Sequence, residues 1–424
     1  TTTDPLAPTM EGPAGTVAVR ATMQGTIVSI DVREGDLVRE GQQLLVMDAM
    51  KMEHVVTAAT GGLVLQVAVS VGDAVYEGHP LLFIEEADVG ALSAAEVEEA
   101  DLEAIRPDLA EVQERHALGF DAARPEAVAK RRKTGHRTAR ENVDDLCDPG
   151  TFVEYAPLVV AAQRRRRSEE DLQKNTPGDG LISGIGRVNG ELFDEERSRC
   201  VVMSYDYTVL AGTQGMWNHF KKDRMFELAE RWRLPLVFFT EGGGGRPGDT
   251  DAPTVAGLNV LAFNYFAKLS GLVPMVGITT GRCFAGNAVL LGCCDVIIAT
   301  EGSNIGVGGP AMIEGGGLGV FRPEEVGPMS VQVPNGVVDI PVVDEGEAVR
   351  VAKKYLSYFQ GPVESWECAD QRILRGLVPE NRLRIYDIRR VIETRADEDS
   401  VLEIRRHWGH GMVTSLIRVE GRPV

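Results

Sequence analysis

The chain has 424 residues, enough for two or three domains, and its 63 acidic and 44 basic residues give a formal net charge of −19. This charge argues against nucleic-acid binding and favours a soluble protein. No run of about 18 apolar residues occurs, so we expect no transmembrane helix. The six cysteines show no CxxC spacing, which fits a reducing, cytoplasmic compartment, and we predict no metal site.

The first residues, TTTDP, have neither a basic start nor an apolar core, so they do not form a signal peptide. Because the chain does not begin with Met, we expect it to be an internal segment of a longer polypeptide. Residues 1–15 are interpreted as a linker.

An internal repeat follows. Residues 25–47, GTIVSIDVREGDLVREGQQLLVM, align with residues 62–84, GLVLQVAVSVGDAVYEGHPLLFI, at an offset of 37. Each copy alternates apolar and polar residues over short runs broken by Gly-Asp and Glu-Gly, which is typical of strands joined by tight turns. Two copies of about four strands predict a small, flattened β barrel-sandwich with internal twofold symmetry.

Lys51 lies between the two copies, on an expected exposed hairpin. An ordinary surface lysine is the common alternative, because most lysines are exposed. However, Met50 and Met52 flank it at a turn where polar residues are expected. We infer that the two methionines are recognised by a partner and that Lys51 carries a prosthetic group.

Residues 87–129 are acidic and alanine-rich, and we interpret them as a linker with helical pieces. A capping-box pattern at residues 93–96 predicts one helix, residues 107–118 a second, and a third begins at Pro125. The linker is either a spacer or a tether that sets how far Lys51 can move.

A second domain begins near Lys130. The basic clusters at residues 130–133 and 164–167 are either a solvated face or a binding site for the phosphates of an anionic substrate. The sequence then predicts alternating strands and helices, which indicate a layered α/β fold. Strands are expected at residues 180–190, 199–205, 236–240, 273–279 and 295–300, and helices at residues 218–232, 255–270 and 285–293.

A glycine run, EGGGGR at residues 241–246, directly follows a buried strand. Glycines there allow several backbone N–H groups to point at one oxygen, as in an oxyanion hole. A flexible turn is the alternative. The run is not a phosphate loop, because no Gly-Lys-Ser/Thr follows it.

Residues 49–52, AMKM, resemble the A/V-M-K-M signature of biotinyl carrier domains, and the repeat resembles the same domain. Related lipoyl domains usually have Asp-Lys-Ala, so the flanking methionines favour biotin. The resemblance implies a carrier domain over residues 16–86, with biotin attached to Lys51 by a biotin ligase and Met50 and Met52 beside it.

Residues 130–395 resemble the N-terminal half of biotin-dependent carboxyltransferases, which have a crotonase-like ββα superhelix. Residues 178–186, GDGLISGIG, resemble the family's GDG-x-x-x-G-x-G, residues 204–209 its S-x-D-F-T-V, and residues 270–274 its S-G-V-I-P. Residues 396–424 resemble the first strands of the C-terminal half. Two motifs depart from the pattern: D-S-G-G-A-R reads EGGGGR, and the second glycine of C-A-G-G is Asn287.

This resemblance implies roles for five residues. Gly243 and Gly244 would be the catalytic oxyanion donors. Ala285, Gly286 and Arg246 would bind substrate. A biotin carboxylase module outside this chain would use ATP, Mg²⁺ and bicarbonate to form carboxybiotin on Lys51, and CO₂ would pass to carbon 2 of an acyl-CoA through an enolate. The ureido nitrogen would take the proton, so no side-chain base is needed.

The family also implies partners. Each site forms between the N-terminal half of one chain and the C-terminal half of a neighbour, so we expect a homo-oligomer. A biotin-dependent decarboxylase or transcarboxylase is an alternative that would lack the ATP-using module. A non-catalytic carrier or assembly subunit is another, because the glycine loop is altered. The biotinyl domain and the lack of paired catalytic glutamates disfavour a crotonase-type hydratase.

Overall fold

The computed structural model describes residues 11–89, 101, 103–251 and 261–424. The chain separates into two compact units, residues 1–104 and 105–424. The capping box expected at residues 93–96, and the start of the helix expected at residues 255–270, lie outside the described residues.

The first unit contains two four-stranded sheets, with strand orders β1-β8-β6-β3 and β5-β4-β2-β7. The strands are β1 Thr16–Arg20, β2 Gly25–Ile30, β3 Leu37–Val38, β4 Gln43–Ala49, β5 Met52–Thr57, β6 Gly62–Val67, β7 Ala74–Val75 and β8 Pro80–Glu86. The sequence repeat is also a structural repeat: β2 begins at Gly25 and β6 at Gly62, an offset of 37 residues.

Equivalent residues of the two copies have equivalent environments. Leu44 and Leu45 of one copy, and Leu81 and Leu82 of the other, are fully buried in one hydrophobic core. The turn glycines of the Gly-Asp pairs, at residues 35 and 72, both have φ of 93°. A positive φ is readily adopted only by glycine, so the repeated glycines produce the same turn twice.

The second unit is built around a seven-stranded sheet of order β17-β15-β13-β12-β11-β10-β9. Strands β9, β10 and β11 pair antiparallel along the chain order, and β11, β12, β13, β15 and β17 are parallel to one another. The strands of this unit are β9 Val153–Glu154, β10 Leu181–Arg187, β11 Arg199–Tyr205, β12 Leu236–Phe239, β13 Met275–Thr279, β14 Arg282–Phe284, β15 Val296–Thr300, β16 Asn304–Gly306, β17 Ile340–Val342, β18 Leu402–Ile404, β19 Thr414–Leu416, β20 Arg418–Val419 and β21 Arg422–Pro423.

Helices cover both faces of this sheet. They are α1 Pro107–Ala117, α2 Pro125–Arg132, α3 Ala139–Leu146, α4 Glu169–Asn175, α5 Glu195–Ser198, α6 Met216–Trp232, α7 Ala262–Lys268, α8 Gly286–Gly292, α9 Pro310–Gly315, α10 Met329–Gln332, α11 Glu345–Gln360, α12 Leu374–Leu377 and α13 Ile388–Arg395. Along β11, Val202 packs in the core formed with α3 and α11, whereas Val201 and Met203 pack in the core formed with α6 and α7. Successive strand residues point to opposite faces, which gives a layered α/β fold, as predicted.

Among the described residues, no helix combines the length and apolar character needed to cross a membrane. The elements between Thr300 and residue 395 were not predicted, nor were α3, α4, α5, β9 and β14, whereas strands were expected within residues 396–424. Helix α3 begins with a capping box: the side chain of Thr138 accepts from the N–H of Glu141, whose carboxylate accepts from the N–H of Thr138.

Candidate functional site

Met50 and Lys51 form the two-residue turn between β4 and β5, because Ala49 pairs with Met52 across the hairpin. Both turn residues have positive φ, 57° and 66°. This is the geometry of a type I′ turn, which usually takes Asn-Gly. The Asp48 carboxylate partly compensates by accepting a hydrogen bond of 3.1 Å from the Lys51 N–H. Non-glycine residues held in such a turn are typical of functional positions.

The hairpin presents its side chains to solvent. Met50 is 91% exposed and Met52 61%, and Lys51 is also exposed. No residue in the described part of the chain pairs with the Lys51 ammonium. The unit therefore displays a free amine between two exposed thioether side chains.

The glycine run begins at the carboxyl end of β12 and lies against the turn between β14 and α8. Gly242 donates to the Arg282 carbonyl at 2.8 Å and accepts from the Phe284 N–H at 2.9 Å. A Cβ added to Gly244 would lie 2.6 Å from the Cβ of Ala285. The structure therefore brings together two segments that the sequence nominated separately.

The N–H groups of this loop differ in their partners. Gly243 donates to the Ala211 carbonyl at 3.2 Å, and Gly244 donates to Oδ1 of Asn287 at 3.1 Å. Within the residues that the structure describes, the N–H groups of Gly245 and Gly286 have no acceptor. Sequence reasoning did not single out Gly245, because nothing in a run of four glycines distinguishes one N–H from the next.

Ala285 has φ of 50° and ψ of −123°. These angles are those of the first central residue of a type II′ turn, a position that favours glycine. The Ala285 N–H donates to the Gly306 carbonyl at 2.9 Å, which holds the turn in place. The strained residue directly precedes Gly286 and helix α8.

Arg246 closes the glycine run but is only 4% exposed. Its guanidinium pairs with Asp179 at 2.5 Å and Asp249 at 3.3 Å, and it donates to the Thr213 carbonyl at 2.9 Å. In this conformation the Arg246 guanidinium is buried and bonded to groups of the protein. Burial raises the pKa of the Asp179 carboxyl, and the charge of Arg246 acts in the opposite direction.

Arg131 anchors the other end of the glycine run. It is buried, and its two Nη atoms contact the two carboxylate oxygens of Glu241 at 2.9 and 2.5 Å. The expectation that residues 130–133 form a solvated face is therefore wrong for Arg131. In the second basic cluster, Arg164 pairs with Glu169 at 3.0 Å and Arg167 with Asp171 at 2.5 Å.

Two lysines of α6 are buried behind the loop. Lys222 donates to the Tyr205 hydroxyl and to Oε1 of Gln214, both at 2.8 Å, and burial lowers its pKa to about 7. Lys221 donates to the carbonyls of Gly178 and Leu181, and burial lowers its pKa to about 8. Sequence reasoning missed both, because lysine is rarely buried and an adjacent Lys-Lys pair in a helix carries no signal of burial.

Among the described residues, no three His, Cys, Asp or Glu side chains are placed to hold a metal ion. The chemistry that this site can perform is stabilisation of a negatively charged oxygen by backbone N–H groups.

Two family descriptions match the chain: "Carboxyl transferase domain" over residues 130–424 and "Biotin-requiring enzyme" over residues 17–84. The first match spans more than half of the chain. The chain belongs to the carboxyl transferase family.

Known carboxyl transferases and carboxylases resemble it over most of its length. A solved single-chain, multi-domain long-chain acyl-CoA carboxylase is 54% identical, with a TM-score of 0.73, and the match covers 98% of this chain and 39% of that one. The 3-methylcrotonyl-CoA carboxylase beta1 subunit of Mycobacterium tuberculosis is 29% identical over 320 residues, which are 72% of this chain and 57% of that protein.

A structure of transcarboxylase 12S, described as a hexamer with methylmalonyl-CoA bound, is 26% identical, with a TM-score of 0.62. That match covers 76% of this chain and 63% of the transcarboxylase chain. The chain thus spans only part of the length of the relatives that it matches.

Proposed function

We propose that this chain is the biotin carrier and carboxyltransferase portion of a biotin-dependent acyl-CoA carboxylase. The observation that carries the proposal is the exposed, methionine-flanked Lys51 of a biotin-requiring domain, on the same chain as a carboxyl transferase domain. The reaction would move a carboxyl group to carbon 2 of an acyl-CoA.

The proposed organisation has a linker over residues 1–15, a carrier domain over 16–86 and a helical linker over 87–129. The N-terminal half of the carboxyltransferase would span residues 130–395, and residues 396–424 would begin its C-terminal half. The two four-stranded sheets with one shared core support a barrel-sandwich carrier. The parallel strands with intervening helices support a crotonase-like ββα superhelix.

Lys51 fits the attachment of biotin. A ligase would join the carboxylate of biotin to the Lys51 amine as an amide, which removes the charge, and Met50 and Met52 would be the side chains that it recognises. When attached, biotin accepts and releases a carboxyl group and supplies the base for the acceptor carbon. The Asp48 hydrogen bond to the Lys51 N–H keeps the turn in its outward-pointing conformation.

The glycine loop would hold the enolate oxygen of the acyl-CoA. Gly243 and Gly244 remain our proposed donors, although each must share or exchange the hydrogen bond that it makes to Ala211 or Asn287. Gly245 offers an N–H without such a bond. We expect the loss of one donor to lower the rate on the order of 100-fold.

Ala285 and Gly286 would line the substrate side of the same site, because they contact the loop. For Arg246 we propose a supporting role in place of direct substrate contact. Its pairing with Asp179 and Asp249 fixes the end of the loop.

Further components would complete the reaction. A biotin carboxylase module would use ATP, Mg²⁺ and bicarbonate, and a C-terminal carboxyltransferase half would come from the same longer chain or from a partner subunit. We propose a cytoplasmic homo-oligomer; the hexamer described for transcarboxylase 12S supports the oligomer.

The test uses the protein purified from its own host. Intact mass and peptide mapping should find one biotin, on Lys51, and labelled bicarbonate should enter acyl-CoA only when ATP is present. Lys51→Arg should abolish both, whereas Lys174→Arg, at another exposed lysine, should change neither. Biotin-dependent turnover in Lys51→Arg would refute the carrier assignment.

The similarity to transcarboxylase 12S favours a second candidate, a transcarboxylase. It predicts carboxyl transfer between two acyl-CoA molecules without ATP. ATP-independent transfer, together with the lack of bicarbonate incorporation, would favour that reaction over the carboxylase.

A further inference from the structure

Asn287 lies beneath the glycine loop and connects it by hydrogen bonds to neighbouring segments. It is fully buried, and its side chain makes four hydrogen bonds. Oδ1 accepts from the Gly244 N–H at 3.1 Å and from Nε2 of Gln214 at 3.0 Å. Nδ2 donates to the carbonyls of Gly212 at 3.3 Å and Thr240 at 3.1 Å.

The neighbours allow one orientation of this amide. Two backbone carbonyls require the NH₂ group on one side, and a backbone N–H requires the oxygen on the other. Flipping the amide would place oxygen against the two carbonyls and NH₂ against a donor, and every one of these bonds would be lost. The side chain therefore connects three chain segments in a single arrangement.

A second layer holds Asn287. Oε1 of Gln214 accepts from the buried Lys222 at 2.8 Å, which fixes the Gln214 amide in turn. The backbone of Gln214 also makes two hydrogen bonds to the loop. Its N–H donates to the Gly244 carbonyl at 2.7 Å, and its carbonyl accepts from the Arg246 N–H at 2.9 Å. Buried networks whose members are all paired rigidify the segments that they join.

The sequence departs from the family pattern at both partners of this contact. Where the resembled motif has a second glycine, this chain has Asn287, and the loop that Asn287 holds carries four consecutive glycines. Gly244, with φ of 88°, lies against Ala285, so the loop and the turn touch where Asn287 joins them. A more flexible loop and an added side chain that restrains it are complementary changes.

We propose that Asn287 is a positioning residue that fixes the glycine loop against the Ala285–Gly286 turn. Because Asn287 accepts from the Gly244 N–H, the N–H of Gly245 is the loop donor that can reach the substrate oxygen without exchanging an internal hydrogen bond, whereas Gly243 and Gly244 must exchange theirs. The inference rests on the proposed carboxyltransferase function, and it deepens that function by distinguishing the donors within the loop.

The test compares Asn287→Ala, Asn287→Asp and Asn189→Ala in the full-length protein. Asn189 is also buried and donates to Lys353 and Gln360, but it contacts no residue of the glycine loop. It controls for the general loss of a buried amide. The measurements are amide hydrogen exchange of a peptide spanning residues 240–248, thermal unfolding, and the kcat and KM of carboxyl transfer.

Asn287→Ala should accelerate exchange at the loop about 10-fold or more, because Gly244 loses its acceptor. It should lower kcat on the order of 100-fold, as expected for a misplaced catalytic group, while KM for acyl-CoA changes little. Asn287→Asp keeps an oxygen for Gly244, so its loop exchange and kcat should lie closer to wild type, even though its unfolding temperature falls. Asn189→Ala should lower the unfolding temperature without either effect.

Wild-type loop exchange in Asn287→Ala, or a kcat no lower than that of Asn189→Ala, would overturn the positioning role. If the wild-type protein transfers no carboxyl group, the proposed function fails, and the exchange measurement still tests whether Asn287 holds the loop.

Discussion

Gly244 and Gly245 are adjacent, yet the structure predicts opposite outcomes when each is changed to Ala. At Gly244 the added methyl would meet the Cβ of Ala285 at 2.6 Å, and φ is 88°. At Gly245 no atom of the described residues, apart from its chain neighbours, lies within 4 Å of an added Cβ, and φ lies outside the left-handed region. The two substitutions therefore test whether the loop requires glycine at position 244 and tolerates a side chain at position 245.

Gly244→Ala combines a left-handed alanine, about 1–2 kcal/mol, with an overpacking clash of about 1–3 kcal/mol. We expect a loss of roughly 2–5 kcal/mol in the free energy of unfolding. Gly245→Ala should leave it unchanged or raise it by about 0.4–1 kcal/mol, because alanine restricts the unfolded chain. Denaturant titration measures both values.

Activity should follow the same order. Gly245 is exposed on the loop, and the family pattern D-S-G-G-A-R has Ala at this position, so a methyl there leaves the N–H open to the substrate oxygen. We expect Gly245→Ala to keep the wild-type kcat/KM of carboxyl transfer, and Gly244→Ala to lower it on the order of 100-fold because the displaced loop misplaces its N–H donors. A comparable loss in Gly245→Ala would refute the argument that this position tolerates a side chain. Equal stability of the two variants would refute the description of the loop itself.

Two further predictions concern the hairpin and the buried lysine. Met50→Asn should stabilise the carrier unit by about 1 kcal/mol, because Asn tolerates a left-handed conformation, and it should slow biotin attachment by the ligase. Thermal unfolding measures the stability, and intact mass measures the rate of attachment. Attachment at the wild-type rate would contradict recognition of Met50. Burial lowers the pKa of Lys222 to about 7, below its ordinary 10.5, so between these values the unfolded chain binds more protons and stability rises with pH. Lys222→Met should reduce the gain in unfolding free energy between pH 7 and pH 9. A gain identical to that of the wild type would contradict the lowered pKa of Lys222. The rise that remains in the variant comes partly from Lys221, whose pKa is also lowered.

The carrier unit was largely predictable because its signals are local. The Gly-Asp pairs determine the turns, and alternation over a few residues determines the strands. The repeat then predicted the exposed hairpin at Lys51, and the structure places Lys51 there. The order of the main strands and helices between residues 180 and 300 followed from similar short-range patterns.

The interior of the second unit was less predictable, because its contacts join distant segments. Arg131 appeared as one of four basic residues, but its partner Glu241 lies 110 positions away. The acceptors of the Gly243 and Gly244 N–H groups come from two distant segments, at Ala211 and at Asn287 in α8. A sequence motif indicates where glycines occur, whereas only the packed loops decide which N–H groups remain free.

The pairing of Thr16 with Glu85 has a consequence for how the carrier unit is inherited. It places the first and last strands side by side, so the polypeptide enters and leaves the unit at one point. A unit built this way can be inserted into, or moved between, larger proteins without breaking either sheet. At the repeat offset of 37 residues, the Lys51 hairpin in one copy corresponds to the point where the polypeptide enters and leaves the unit in the other. One duplicated element therefore supplies both the attachment to the host polypeptide and the site of modification.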